Sequence, residues 1–170
     1  MILTEAELAA IRRQAETEYP AECCGVVLVR ADAVAGERRR LHACRNIQDE
    51  LHAKDPARFP RDARTAYYMA HEDLIEISRQ EAQGWAVHVI YHSHVDVGAY
   101  FSETDRRNAL LMDGQPAYPG AVYVVVGVAA GRAAEVRAFR WDADRRDFVE
   151  MPLVDAPPVA AVRPSGPETR

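Results

Sequence analysis

Trp85-Ala86-Val87-His88-Val89-Ile90-Tyr91-His92-Ser93-His94 is a run of β formers that ends in two histidines, and Ser102-Glu103-Thr104-Asp105 opens a helix shortly after it. Side chains at i and i+2 of a strand share a face, roughly 6.5 to 7 Å apart along the backbone, so His92 and His94 can close on one ion. Ser102 followed by an acid three residues on is an N-cap pattern, and the helix is expected to run through Leu110 and Leu111 to about Asp113, where Gly114 and Pro116 stop it. Asp105, one turn into that helix, can fold back across the Gly98 bend toward the histidines. Two imidazoles and a carboxylate leave a tetrahedral zinc one open position, which is the arrangement of a catalytic site rather than a structural one. A His-x-His pair alone also occurs in packing roles, and Ser102 with Asp105 alone is an ordinary cap. Together the four residues are hard to obtain by accident, and the two readings are compatible, because the cap fixes the helix start that aims Asp105.

Working outward, Thr4 and Glu7 form a capping box, with Leu8, Ile11 and Ala15 at helical spacing, so a first helix is expected from Thr4 to about Glu18, ended by Pro20. Gly25 to Val29 reads as a strand buried on both faces, and a second strand around Arg39 to Arg45 should pair with it. The polar stretch from Asn46 to about Arg64 holds Pro56 and Pro60 and no sustained period, and is expected to be a flap near the site. His71 to Gln83 reads as a helix with Leu74, Ile75 and Ile77 toward the core and Gly84 closing it. Ala121 to Val128, Glu135 to Trp141 and Phe148 to Leu153 read as three strands on short turns. Helices alternating with strands early, then a run of strands, indicate an α/β domain over residues 1–154, a mixed sheet flanked by helices. The Pro-rich stretch 155–170 is expected to be a disordered tail.

A chain of 170 residues with 48% hydrophobic content suits one compact domain. A net charge of -5 and a pI near 5.7 argue against a nucleic-acid partner, which needs clustered Lys and Arg. The one basic block, Arg38-Arg39-Arg40, reads as a solvated strand edge. The longest apolar run, Ala121 to Ala130, is far short of the roughly 20 residues that span a bilayer. The start, Leu3-Thr4-Glu5-Ala6-Glu7, lacks a basic segment followed by an apolar one, so a cytoplasmic location is expected. The 3 cysteines form no paired framework and no Cys-x-x-Cys, which fits a reducing compartment.

His92-Ser93-His94, seven residues, Ser102, two residues, Asp105 resembles the motif of the JAMM (MPN-plus) metalloproteases. Pro20-Ala21-Glu22-Cys23-Cys24-Gly25 is similar to the family's upstream glutamate signature. The resemblance extends from the first helix to about Trp141 and implies the MPN, cytidine-deaminase-like fold. It further implies one catalytic Zn2+ held by His92, His94 and Asp105, with Glu22 as the general base and Ser102 as an oxyanion donor. The implied reaction is cleavage of a peptide or isopeptide bond at the C-terminus of a ubiquitin-like protein. For a small stand-alone member the implied partner is a ubiquitin-like sulfur carrier, and a homodimer is a compatible assembly. A non-catalytic scaffold module of the same fold is the alternative. The sequence departs from the family in having Val95 where a proline is common, which is expected to loosen the loop and alter substrate handling without loss of zinc.

His92-x-His94-x-Asp96 also matches the first half of a metallo-β-lactamase motif, but Val97 stands where its next histidine belongs and no histidine follows His94. The His-Glu-x-x-His of zincins and the Cys-x-x-Cys of zinc deaminases are both missing. Cys24 reads as buried and inert rather than nucleophilic. His88 is placed on the strand face of His92, in the core. Tyr100 and Phe101 either line the cleft or pack beneath it, and Trp85 and Trp141 are packing residues.

Overall fold

The computed structural model describes residues 1–32 and 36–153, so the expected 155–170 tail lies outside the described residues. In chain order the elements are α1 (Glu5–Glu18), β1 (Cys24–Asp32), β2 (Gly36–Cys44), α2 (Gln48–Lys54), α3 (His71–Ala82), β3 (Ala86–Val95), α4 (Glu103–Ala109), β4 (Val122–Ala129), β5 (Arg132–Asp142) and β6 (Asp147–Met151). The strands form one mixed sheet in the order β2-β1-β3-β4-β5-β6, in which only β3 and β4 run parallel. This is the single α/β domain expected, a six-stranded sheet with helices on its faces. No helix among the described residues is long and apolar enough to cross a membrane.

β1, β3 and β4 are interior strands covered on both faces, which is why they read as continuous apolar runs. On one face Val27, Val89, Tyr91, Val124 and Val126 pack under Ile11 and Ala15 of α1. On the other, Val26, Leu28, Ile90, Tyr123 and Val125 meet Ile77 of α3, Ala109 of α4 and the rings of Phe101, Phe139 and Phe148. The capping box read at Thr4 is present: Glu7 N–H donates to Thr4 Oγ1 at 3.2 Å, and Thr4 N–H donates to Glu7 Oε2 at 2.8 Å.

Five sequence expectations need correction. The 46–64 stretch contains α2, too short to show a period, and it is tied down where Gln48 Nε2 donates to the Arg61 carbonyl at 2.7 Å and Ala63 N–H donates to Asp49 Oδ1 at 2.6 Å. α3 buries Ile77 and Gln80, whereas Leu74 is 40% and Ile75 62% exposed, because the helix touches the sheet along a stripe narrower than its apolar face. α4 ends at Ala109, since Leu110 is already extended and bridges to Pro116 across a turn whose Gly114 has φ 77°. His88 is half-buried and its Nε2 lies 3.3 Å from the Met1 carbonyl. There Val27 pairs with Val89 and Leu28 with Val87, so His88 is the extra residue of a β-bulge and does not share the face of His92. The arginine block does lie on the edge strand β2, but Arg39 is bound to Glu7 at 2.9 Å and the Arg40 guanidinium sits 4.0 Å over the Trp85 ring.

Gly25 pairs with Tyr91 across β1 and β3, and the tyrosine lies over it, its hydroxyl donating to Gln14 Oε1 at 2.6 Å. A Cβ on residue 25 would stand 2.3 Å from that hydroxyl and 2.5 Å from the His42 carbonyl oxygen. Gly25→Ala is therefore expected to destabilise the fold by about 1–3 kcal/mol, the usual cost of overpacking. A urea-unfolding midpoint equal to that of the wild type would show that the Tyr91 ring can move aside freely.

Candidate metal centre

β3 delivers the two histidines and α4 the acid. His92 is paired with Cys24 and Val125 in the middle of the sheet, and His94, two residues on, is paired with Gly127. The missing side chain at Gly127 lets the turn after β3 fold back: a Cβ there would lie 3.1 Å from Ala99 N and 3.2 Å from the Val97 carbonyl oxygen. Within that turn the Gly98 carbonyl accepts from His94 Nδ1 at 3.2 Å, which leaves the lone pair of Nε2 facing the cleft. At α4, Asp105 N–H donates to Ser102 Oγ at 3.1 Å and Ser102 N–H donates to Asp105 Oδ2 at 2.8 Å. Ser102 is thus an acceptor in its cap, and its own hydroxyl hydrogen remains free to be donated.

The ligand atoms converge. His92 Nε2 lies 3.1 Å from His94 Nε2 and 3.3 Å from Asp105 Oδ1, and His94 Nε2 lies 3.4 Å from Asp105 Oδ2. Bond lengths of about 2.0–2.1 Å to a tetrahedral zinc give ligand–ligand edges of about 3.3 Å, so the three groups fit such an ion as they stand. All three side chains are buried, and lone pairs brought together away from water call for a cation between them. The Nδ1 of His92 is buried with no protein partner among the described residues. Burial by itself would raise the Asp105 carboxyl, but the charge of His92 and hydrogen bonds from His92, His94 and Ser102 hold it well below the usual carboxylate range.

Glu22 stands at the foot of β1 and is 6% exposed. The next residue, Cys23, is locked to the serine between the two histidines: its N–H donates to Ser93 Oγ at 2.8 Å, and its carbonyl accepts from Ser93 N–H at 3.0 Å. Asn46 clamps the other side, donating from Nδ2 to the Glu22 carbonyl at 2.9 Å and to the Ala66 carbonyl at 3.2 Å, while Oδ1 accepts from Gln48 and Tyr68 N–H groups. The Glu22 carboxyl lines a cleft of ≈ 420 Å³ with His94, Ser102 and Asp105. Burial first, then the negative charge of Asp105, pushes it up to about 9 in the metal-free protein. Cys23 and Cys24 are both fully buried, and burial raises both thiols, that of Cys23 to about 12, so neither offers a thiolate at neutral pH.

Sequence reading missed part of the cleft wall. Tyr67 stacks on His92 with ring centroids 4.7 Å apart, and Arg61, Arg64 and Thr65 line the opening opposite Thr104 and Asn108. For Arg61 and Arg64 the signal was the unusual length of the 46–64 stretch that holds them; Thr65 and Tyr67 lie beyond it and gave none. Tyr100 and Phe101 divide the two roles left open for them. Tyr100 is 50% exposed and edge-on to His94 at 4.8 Å, whereas Phe101 is in the core. The loop after Val95 is held by bonds of its own. Val95 continues the ladder against Val128, and Asp96, at φ 57°, accepts from Ala130 N–H, the Tyr19 hydroxyl and Arg64 Nη2. Those bonds also account for Asp96, which is not among the converging ligands.

A mixed sheet carrying His-x-His at the end of a central strand, with an acid from the next helix, forms a buried three-ligand group able to hold a metal ion. Residues 4–142 match the family described as prokaryotic homologs of the JAB domain, and the chain belongs to that family. The JAB family includes metalloproteases. The chain is similar to the solution structure of a protein from Salinibacter ruber, with 27% identity, TM-score 0.57 and 92% of each chain covered. It also resembles in fold a protein from Desulfitobacterium hafniense, with 20% identity, TM-score 0.58 and 87% of each chain covered. No curated protein matches.

The buried carboxyl makes a stability prediction for the metal-free chain. With its folded value near 9 against 4.5 when unfolded, Glu22 keeps a proton that the unfolded chain releases, so its contribution to stability falls as pH rises from about 4.5 and levels off above about 9. Metal-free Glu22→Gln is therefore expected to be more stable than the metal-free wild type at pH 7, by up to about 3 kcal/mol, with the difference vanishing near pH 4. Denaturation curves at both pH values check it; equal stabilities throughout would mean that the carboxyl is solvated.

Proposed function

We propose that this chain is a zinc-dependent peptidase that hydrolyses a peptide or isopeptide bond at the C-terminus of a ubiquitin-like sulfur-carrier protein. The observation that supports it most is the approach of His92, His94 and Asp105 ligand atoms to 3.1–3.4 Å in the same cleft as a buried Glu22 carboxyl and the Ser102 hydroxyl. Zinc supplies Lewis acidity that brings the pKa of a water toward neutrality. Glu22 accepts a proton on its carboxylate from the attacking water and later gives it to the leaving amine nitrogen. A carboxyl that burial makes reluctant to ionise suits the second half of that shuttle, and a dication beside it favours the ionised form needed for the first. Ser102, whose oxygen is held by the Asp105 amide, points its free hydrogen at the carbonyl oxygen as negative charge develops there.

The substrate class rests on the family resemblance, together with the shape of the cleft. Bounded by the 61–65 segment on one side and α4 on the other, it suits an extended Gly-Gly tail better than bulky side chains. The non-catalytic scaffold reading is less favoured because the ligands, the buried acid and the hydroxyl are all present together.

Glu22→Gln is expected to keep its zinc and lose nearly all turnover; normal rates would place the base elsewhere. Ser102→Ala should lower kcat roughly 10²-fold with little change in KM, as removal of a comparable donor does. His94→Ala is expected to release the zinc of this centre, read as one zinc per chain fewer than the wild type holds; unchanged zinc content would show that the ligand set is wrong. The substrate is tested by incubating zinc-loaded protein with a sulfur carrier extended beyond its Gly-Gly and weighing the product by mass spectrometry. Chelator-sensitive trimming is expected. A zinc-loaded sample that leaves the carrier intact removes the substrate assignment, and a protein that takes up no zinc at this centre favours the scaffold.

A further inference from the structure

The construction of the metal centre occurs a second time in the chain. His42 and Cys44 are i and i+2 on β2 and share a face, as His92 and His94 do on β3. Asp73 is the third residue of α3, just as Asp105 is the third residue of α4. A backbone amide occupies one oxygen of each acid: Arg45 N–H donates to Asp73 Oδ2 at 2.9 Å, as Ser102 N–H does to Asp105 Oδ2 at 2.8 Å. The other oxygen, Asp73 Oδ1, lies 2.9 Å from His42 Nε2. One ligand atom from each of His42, Cys44 and Asp73 lies within 4.8 Å of the others. Cys44 is buried, while the side chains of His42 and Asp73 are 23% and 17% exposed, so the group has a dry side and a side open to water.

We propose that His42, Cys44 and Asp73 form a second metal site, for a borderline-soft divalent cation such as zinc, with water as the remaining ligand. A thiolate, an imidazole and a carboxylate together favour zinc over magnesium or calcium, which take oxygen ligands. Bonds of about 2.3 Å to sulfur and 2.0–2.1 Å to nitrogen or oxygen set the sulfur edges near 3.5 Å, which lies inside the 4.8 Å that bounds the present separations. Cys44 releases its proton to solvent in that step, and the ion replaces the His42–Asp73 hydrogen bond as the tie between β2 and α3. The site shares no residue with the cleft and does not depend on the proposed peptidase activity.

A hydrogen bond alone also accounts for the contact between His42 and Asp73, so the test must report on sulfur. The centre at His92, His94 and Asp105 contains none. Titration of the full chain with Co2+ is therefore expected to give thiolate-to-cobalt charge-transfer absorption in the wild type and in His94→Ala, and to lose it in Cys44→Ser and His42→Ala. Zinc content measured after dialysis should be two per chain in the wild type, one in His94→Ala and one in Cys44→Ser. Circular dichroism confirms that each variant is folded, and the wild-type measurement needs no variant at all. No charge-transfer absorption in the wild type, or absorption that survives Cys44→Ser, overturns the proposal.

Discussion

Two reciprocal hydrogen bonds between Ser102 and Asp105 decide what this sheet can be used for. They start α4 at the one residue that turns an acid back toward β3, and they take the Asp105 amide and the Ser102 amide out of play in doing so. With the carboxylate held from behind, its oxygens meet His92 and His94 without further adjustment. The same two bonds leave the serine hydrogen uncommitted. A cap that would ordinarily be worth about 1 kcal/mol to a short helix thus also aims a ligand and frees a donor.

The glutamate is tied to the histidines through the backbone. Ser93 points away from the cleft, between two side chains that point into it, and both its groups bond Cys23, so the position of Glu22 follows that of the histidine pair. Asn46 closes the arrangement from the far side by binding the Glu22 carbonyl and the 66–68 segment together. Burial first, and then the neighbouring charge of Asp105, disfavour an ionised Glu22, and its carboxyl is raised for both reasons. The scaffold around them is buried: three valine-rich strands and a cluster of aromatic side chains around Phe101.

What could be read from the sequence was what local rules govern. Alternation along a strand paired His92 with His94, and i to i+3 cap chemistry paired Ser102 with Asp105. The helix α1 and the strands β1, β3 and β4 followed from a capping box and unbroken β-branched runs. Glu22 needed the family resemblance, since nothing in its own neighbourhood reveals that the sheet will bury it. Tyr67, Arg61 and Arg64 were out of reach for a different reason. They arrive at the site through contacts with residues distant in sequence, and α2, which carries that segment, is a single short helix held by side-chain bonds to residues 61 and 63 rather than by an apolar stripe. Leu74 and Ile75 were misplaced because periodicity identifies an apolar face without saying how much of it the neighbouring layer covers.

His88 failed for a reason that reaches further. The bulge there changes the phase of β3, so that Val87 and Ile90, three residues apart, point into the same layer. Upstream of it the strand answers to Trp85 and the packing of α3, and downstream it answers to Cys24 and the cleft. Because the surplus residue sits at the joint, a chain lacking it would become an uninterrupted strand with His92 and His94 still on the same side. Loss of one residue beyond Ile90 would instead turn both imidazoles toward α1. Variation in length is thus harmless at one point of β3 and ruinous a few residues later, although both points lie in the same buried strand.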